Sequence, residues 1–446
     1  MNINAGYIPD MTEQSNSTDP ADRAGAPLFD RLTGGHEAEG GLSDSARTAE
    51  LRNFDRHILA LAGSKVADGL VDPKLVLSWL LTHLGAGSFW TGLLVPVREA
   101  GALLPQLFTA GRIHAMPRRK WAWAAGSVGQ GAAAAGIVIS ALTLTGPEAG
   151  AAVVALLAFL ALCRSVCSVS YKDVLGKTVG KTRRGTATGT AASVASGAVI
   201  VFALALMTGW VDRFALVIGA LLLAVLGWII AALMMSRVEE EPQAGEPEGV
   251  AASLAKLSLL RDRPQLARFV AARSALVGTA LAPPYLVMLA SDQSAARQLG
   301  ALVLASSVAS FLSSTIWGRL ADRSSRLVLI GAGLAGAGAL GLALLVEQAG
   351  FSGTIWAIPL VLFGLMIAYH GVRQARSTYL IDMAPADERA AYTAVSNTAV
   401  GLFLLAAGAG AAGLAAISVP LALGVFIVMC LAGIWLAAGL DEVEND

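Results

Sequence analysis

A chain of 446 residues that is 55% hydrophobic and only 14% charged, with a mean hydropathy of +0.63, is too apolar for a soluble protein of that length. Its 32 basic and 32 acidic residues leave no net charge, which removes any electrostatic case for a nucleic-acid partner. Its three cysteines, Cys163, Cys167 and Cys430, all fall in apolar stretches and supply neither a disulfide framework nor a metal-ligand set.

Residues 1–50 are rich in Gly, Ser, Thr, Asp and Glu, and they lack both helical periodicity and the apolar core of a cleaved signal. They are expected to form a disordered tail. Twelve apolar stretches follow, at 57–84, 88–111, 121–145, 149–172, 187–210, 214–236, 266–290, 296–317, 327–346, 353–375, 392–415 and 418–440. A run of ~20 apolar residues crosses the hydrocarbon core as a helix, because a helix satisfies its own backbone hydrogen bonds. The first span is the least regular, since it contains Lys65, Asp68, Asp72, Pro73 and Lys74. It is read as one long helix, against a rival that starts only at Pro73.

Residues 237–264, with Glu239-Glu240-Glu241-Pro242 and then Gly245, Pro247 and Gly249, read as a flexible linker with a short surface helix near 251–260. They divide a six-helix bundle over 51–236 from a second over 265–440, and 441–446 form a short tail. Basic residues cluster in alternate connections. Arg47, Arg52 and Arg56 precede span 1, and Arg112, Arg118, Arg119 and Lys120 precede span 3. Lys177, Lys181, Arg183 and Arg184 follow span 4; Arg237, Lys256, Arg261 and Arg263 follow span 6; Arg389 precedes span 11. The other side has only Arg213 and Arg297. By the positive-inside rule both termini are cytoplasmic. Arg118, Arg119 and Lys120 are expected to set orientation and meet anionic lipid headgroups.

Ionisable residues inside spans face a partner or a watery cavity, because lipid penalises them. Lys65, Asp68 and Asp72 are three and four residues apart and form one stripe. Arg98 and Glu99 are adjacent, so they point about 100° apart, one to the cavity and one to a neighbouring helix. Arg164, Arg273 and Arg373 lie in spans 4, 7 and 10, with Arg273 deep enough to reach a solute and Arg376 near the interface. These eight residues, Lys65, Asp68, Asp72, Arg98, Glu99, Arg164, Arg273 and Arg373, are the candidates for solute or proton contact. The competing role for each is an ion pair that locks helices together.

The two halves echo each other at an offset of 207, with Gly111-Arg112 answered by Gly318-Arg319. Arg164 precedes Asp173 by nine residues, as Arg373 precedes Asp382. Such repeats build many secondary transporters. The segment Gly318-Arg319-Leu320-Ala321-Asp322-Arg323-Ser324-Ser325-Arg326 resembles the loop signature of the major facilitator superfamily, and Arg164 in Leu162-Cys163-Arg164 resembles the arginine of its fourth-helix motif. The first-half loop departs from the pattern, with Ala115 where the acid belongs, and Ser325 replaces the second glycine. The fifth-helix Gly-Pro motif of drug exporters is absent from 185–210.

The resemblance covers about residues 51–440, and the wider pattern is similar to bacterial permeases. It implies an all-α membrane protein, twelve transmembrane helices in two pseudo-symmetric six-helix bundles, and a bacterial inner-membrane location. It also implies a monomer that works by alternating access, and the mixed charges inside the spans favour a small polar solute, an anion held by Arg. Asp322, with Gly318, Arg319, Arg323 and Arg326, would form a conformational latch at a helix N-terminus. No Gly-Lys-Ser/Thr phosphate loop occurs, so an ion gradient, with protons as the ion, is the expected energy source. No enzymatic chemistry, cofactor or metal is expected. The rival functions are export of amphipathic toxic compounds and a non-transporting membrane sensor or assembly protein.

Overall fold

The computed structural model describes residues 42–243, 245, 254–290, 295–321, 323–385 and 388–443. Residues 1–41 of the expected tail and Asp322 of the expected latch lie outside them. Among the described residues the regular structure is entirely helical.

A short helix α1 (Asp44–Thr48), capped by Ser43, leads into α2 (Glu50–Leu70). The expected first span is therefore corrected twice. Its helix begins inside the segment read as tail, and it breaks at 71–75 before α3 (Val76–His83). Pro73 is the cause, because it has no N–H to donate and its ring collides with the preceding turn. The second span is likewise divided at Pro105 into α4 (Ser88–Leu103) and α5 (Gln106–Ala115). Long helices follow: α6 (Lys120–Thr143), α7 (Gly146–Thr178), α8 (Lys181–Thr208) and α9 (Arg213–Ser236). The region 254–263 carries a 3-10 turn at Lys256–Ser258 and α10 (Leu259–Asp262).

The seventh span is divided into α11 (Pro264–Ala275), α12 (Gly278–Leu281) and α13 (Pro283–Leu289), the last beginning at the Pro283-Pro284 pair. The remainder are α14 (Ala295–Ala321), α15 (Ser325–Gln348), α16 (Ala357–Met383), α17 (Arg389–Ala415) and α18 (Val419–Ala438). Several overrun the apolar stretches that announced them; α7 and α16 continue into polar residues beyond the expected spans. Among the described residues, nine helical stretches are long and apolar enough to cross a membrane: α6 to α9, α15 to α18, and the run Pro264–Leu289.

Helix α9 packs on α2 and α6, and α7 packs on α4 and α6; α15 and α14 pack on α16, and α18 packs on α15 and α11. Two seams join the first half of the chain to the second, α4 along α17 and α8 along α14. Small residues set the closest approaches. A Cβ on Gly63 would lie 2.7 Å from the carbonyl oxygen of Gly227, so the α2 and α9 backbones touch directly. On the α4–α17 seam, a Cβ on Gly408 would collide with the Pro96 ring.

The helix ends bearing the basic connections gather on one face. Glu50 accepts from Gly180 N at 2.9 Å and pairs with Arg183 at 2.8 Å. Glu240, only 5% exposed, accepts from Arg119 N at 3.1 Å and Lys120 N at 2.8 Å, capping the free N–H groups of α6. In the second half Glu442 accepts from Ser324 Oγ at 2.8 Å and pairs with Arg326 at 3.0 Å. Two expectations change here. The start of the linker is docked, with Glu239 bound to Arg52, Arg56 and Asn53 and Glu241 to Ser43 and Ser45. Arg119 is buried, and Lys120 Nζ donates to the carbonyls of Ser236 and Val238, so neither is free for a lipid headgroup.

Candidate functional site

The break at Pro73 places a cation where a continuous helix would not. Asp72 Oδ1 accepts from the Lys74 backbone N–H at 3.3 Å, and Ser78 Oγ donates to the Pro73 carbonyl at 2.7 Å, which steadies the loop between α2 and α3. Lys74, 7% exposed, sends its ammonium across the molecule. Its Nζ sits 3.6 Å from the centroid of the Tyr369 ring on α16 and 3.8 Å from Glu99 Oε1 on α4. One residue of the first half is thereby held against a helix of the second, by a cation–π contact and an ion pair in a desolvated setting.

Glu99 opens onto a narrow cleft between the halves, walled by Leu103 of α4, Arg273 of α11 and Leu276 just after it, Tyr369, Arg373 and Arg376 of α16, and Leu404 of α17. Arg273 is 5% exposed, giving Nη1 to Ser396 Oγ at 2.7 Å and Nη2 to Asn397 Oδ1 at 2.9 Å. Asn397 Nδ2 in turn donates to Gln106 Oε1 at 3.4 Å, so the polar chain runs from α11 through α17 to α5. Residues 76–81 of α3 and 283–287 of α13 are buried, while Arg373 is exposed.

The candidates separate into two groups. Asp68 takes Arg98 Nη2 at 2.9 Å and Arg164 Nη1 at 2.6 Å, and Arg164 also donates to Ser64 Oγ at 3.3 Å. This knot ties α2, α4 and α7 together within the first half, and Lys65 lies in electrostatic reach of it and of Arg373. Arg98 and Glu99 diverge as adjacent helical residues must, Arg98 into the knot and Glu99 onto the cleft. Asp72, Glu99, Arg273 and Arg373 gather around Lys74 and the cleft.

Arg376 lines the cleft with Arg373, one helical turn away on the same face of α16. Lys74 and Tyr369 were not among the candidates, nor were Gln106, Ser396 and Asn397. The available signals were a lysine directly after a proline in an apolar stretch and a Ser-Asn pair inside span 11. In the loop-signature segment, Gly318 has no neighbour crowding it among the described residues, and Arg319 and Arg323 are exposed. Arg326 is held within its own half by Glu442 and by the Leu440 carbonyl at 2.9 Å.

No protein-family model matches the chain, and no curated protein is similar to it in sequence. Solved structures are similar in shape. The nucleoside transporter NupG superposes with a TM-score of 0.60 at 14% identity, over 87% of this chain and 98% of that one. A D-xylose-proton symporter gives 0.64 at 10% identity, over 88% and 98%. A bacterial homologue of the iron transporter ferroportin, in an inward-facing state, gives 0.58 at 14% identity, over 88% and 99%.

The chain has the major facilitator fold. Together with the nine apolar helical stretches, this makes it an integral membrane protein. Within the major facilitator fold the cleft lies beside the α4–α17 seam, with its cationic wall on α11 and α16 and its carboxylate on α4.

Proposed function

We propose that this protein is a secondary active transporter that carries a small polar anion by alternating access, driven by protons. The observation that carries the proposal is the cleft between the halves, where the guanidinium groups of Arg273, Arg373 and Arg376 face one carboxylate, Glu99. Polar groups concentrated between two halves joined by two seams match a site that each half can expose in turn. The three structural neighbours above are transporters, two of them of polar organic solutes, which supports the class without naming a solute.

In this reading the chain forms twelve transmembrane helices in two six-helix bundles, with the divided segments α2–α3, α4–α5 and α11–α13 counting as one span each. The basic face is cytoplasmic, with both termini on it, in a bacterial inner membrane. The protein works as a monomer, without cofactor and without enzymatic chemistry. Glu99 is the proton carrier, because it is the acidic group on the cleft wall and its partner Lys74 touches the opposite half. Asp322 with Gly318, Arg319, Arg323 and Arg326 is the latch that closes the cytoplasmic side in the other state.

The test is uptake into proteoliposomes. A panel of labelled organic anions, cations and neutral solutes is presented under an imposed pH gradient. Accumulation of an anion, abolished by a protonophore, is the expected result. Accumulation of cations alone would overturn the anion reading, and no gradient-driven uptake of any solute would overturn the transporter itself.

A further inference from the structure

The charges around the cleft do not cancel. Lys74 is matched by Glu99 at 3.8 Å and lies beside Asp72, which accepts from its backbone N–H at 3.3 Å. Arg273, Arg373 and Arg376 have no such match: among the described residues no carboxylate makes an ion pair with any of them. Arg273 is the extreme case. It is 5% exposed, both its Nη partners are neutral, and its Nε finds no acceptor among the described residues. An uncompensated buried cation is costly unless a counter-charge arrives.

On the cleft lining itself three cations, Arg273, Arg373 and Arg376, stand against one carboxylate, Glu99, an excess of two positive charges, while Lys74 and Asp72 lie side by side just outside it. We infer that the cleft is built for a small dianion, a dicarboxylate or a phosphate-type oxyanion, in preference to a monoanion. This inference rests on the anion reading of the cleft and narrows it. Arg373 and Arg376 lie three residues apart on α16, and Arg273 stands across from them on α11. Guanidinium forks bind carboxylate and phosphate oxygens in pairs, so a ligand with two anionic oxygens' worth of charge can bridge α11 and α16. One negative charge would leave a guanidinium uncompensated.

The experiment is ligand binding to the purified full chain in lipid nanodiscs, followed by thermal shift and tryptophan fluorescence at constant ionic strength. The probes are succinate, inorganic phosphate and methyl phosphate as dianions, butyrate as monoanion, and succinamide as the neutral control. At least one dianion should bind about tenfold or more tightly than butyrate, a factor set by the extra charge. If that ligand is phosphate, its affinity should be higher at pH 8 than at pH 6, where the monoanion predominates. Preference for succinate identifies a dicarboxylate site, and preference for the phosphates an oxyanion site; either supports the inference.

Arg376→Gln and Arg373→Gln should each bring the dianion affinity down toward that of butyrate. Should Arg273→Gln fail to fold, Arg273→Lys keeps the charge and should keep the dianion preference with weaker binding. Butyrate binding as tightly as every dianion would overturn the dianion inference while leaving the anion reading intact. Binding of succinamide with the affinity of succinate, or no binding by any of the anions, would overturn both.

Discussion

Asp68 and Glu99 are both carboxylates inside apolar helices, yet their surroundings assign them opposite work. Asp68 holds two arginines, Arg98 at 2.9 Å and Arg164 at 2.6 Å, so its charge is already spoken for. Asp68→Asn should strand both cations and lower stability by about 3 kcal/mol, the scale for breaking a buried pair from one side. Thermal unfolding of the purified variant checks this, and exchange and driven uptake should fall together. Unchanged stability would show the knot to be dispensable. Glu99 instead has one partner, Lys74 at 3.8 Å, and lies on the wall of the narrow cleft. Glu99→Gln should insert and fold, keep solute exchange, and lose accumulation driven by a pH gradient, because exchange moves no net proton. Normal driven uptake in that variant would remove Glu99 as the proton carrier.

The elements are tied at the basic face by acidic residues that sequence patterning assigned to a loose connection. Glu239 receives hydrogen bonds from Arg52 and Arg56 near the start of α2 and pairs its backbone N–H with Asn53 Oδ1 at 2.8 Å. Burial alone would raise its pKa, but the hydrogen bonds from Arg56 and Arg52 and their charges outweigh it and hold the carboxyl below its usual 4.5. A depressed folded pKa means the stabilisation is complete above the unfolded value and is lost as pH falls through the folded one. The docked linker should therefore stay fixed at neutral pH and loosen only below about pH 4.5. A spin label on Gln243→Cys, exposed beside it, should report increased mobility in that acid window and not above it. Glu239→Gln should show the looser spectrum at neutral pH.

At the scale of the whole molecule, the arrangement of the helices makes a prediction about sidedness. Arg119, Lys120, Arg183 and Arg326 meet acidic partners on the face that also carries the start of α2 and the end of α18. Reporter fusions after Lys120, Arg184, Arg326 and Arg389 should all report the cytoplasm, and fusions near Glu148 and Arg213 the opposite side. An external signal at Arg184 or Arg326 would break the twelve-span arrangement.

Composition and hydropathy by themselves determined the solvent of this protein, because a chain 55% hydrophobic with long apolar runs has to satisfy its backbone as helices in lipid. The repeat around Gly111 and Gly318 and the loop signature pointed to the major facilitator fold, which the solved neighbours bear out. Charged residues inside apolar runs were equally legible, since lipid leaves few tolerable places for them. What the sequence left open was which charges meet. Asp68 and Arg164 are nearly a hundred residues apart along the chain, and Lys74 and Tyr369 nearly three hundred; only helix packing sets those distances. The same packing decided that Arg376 reaches the cleft, that Arg119 is buried, and that Pro73 breaks the first span so that Lys74 can cross to the other half. Pairing between distant side chains depends on the crossing of backbones, which no local pattern of residues encodes.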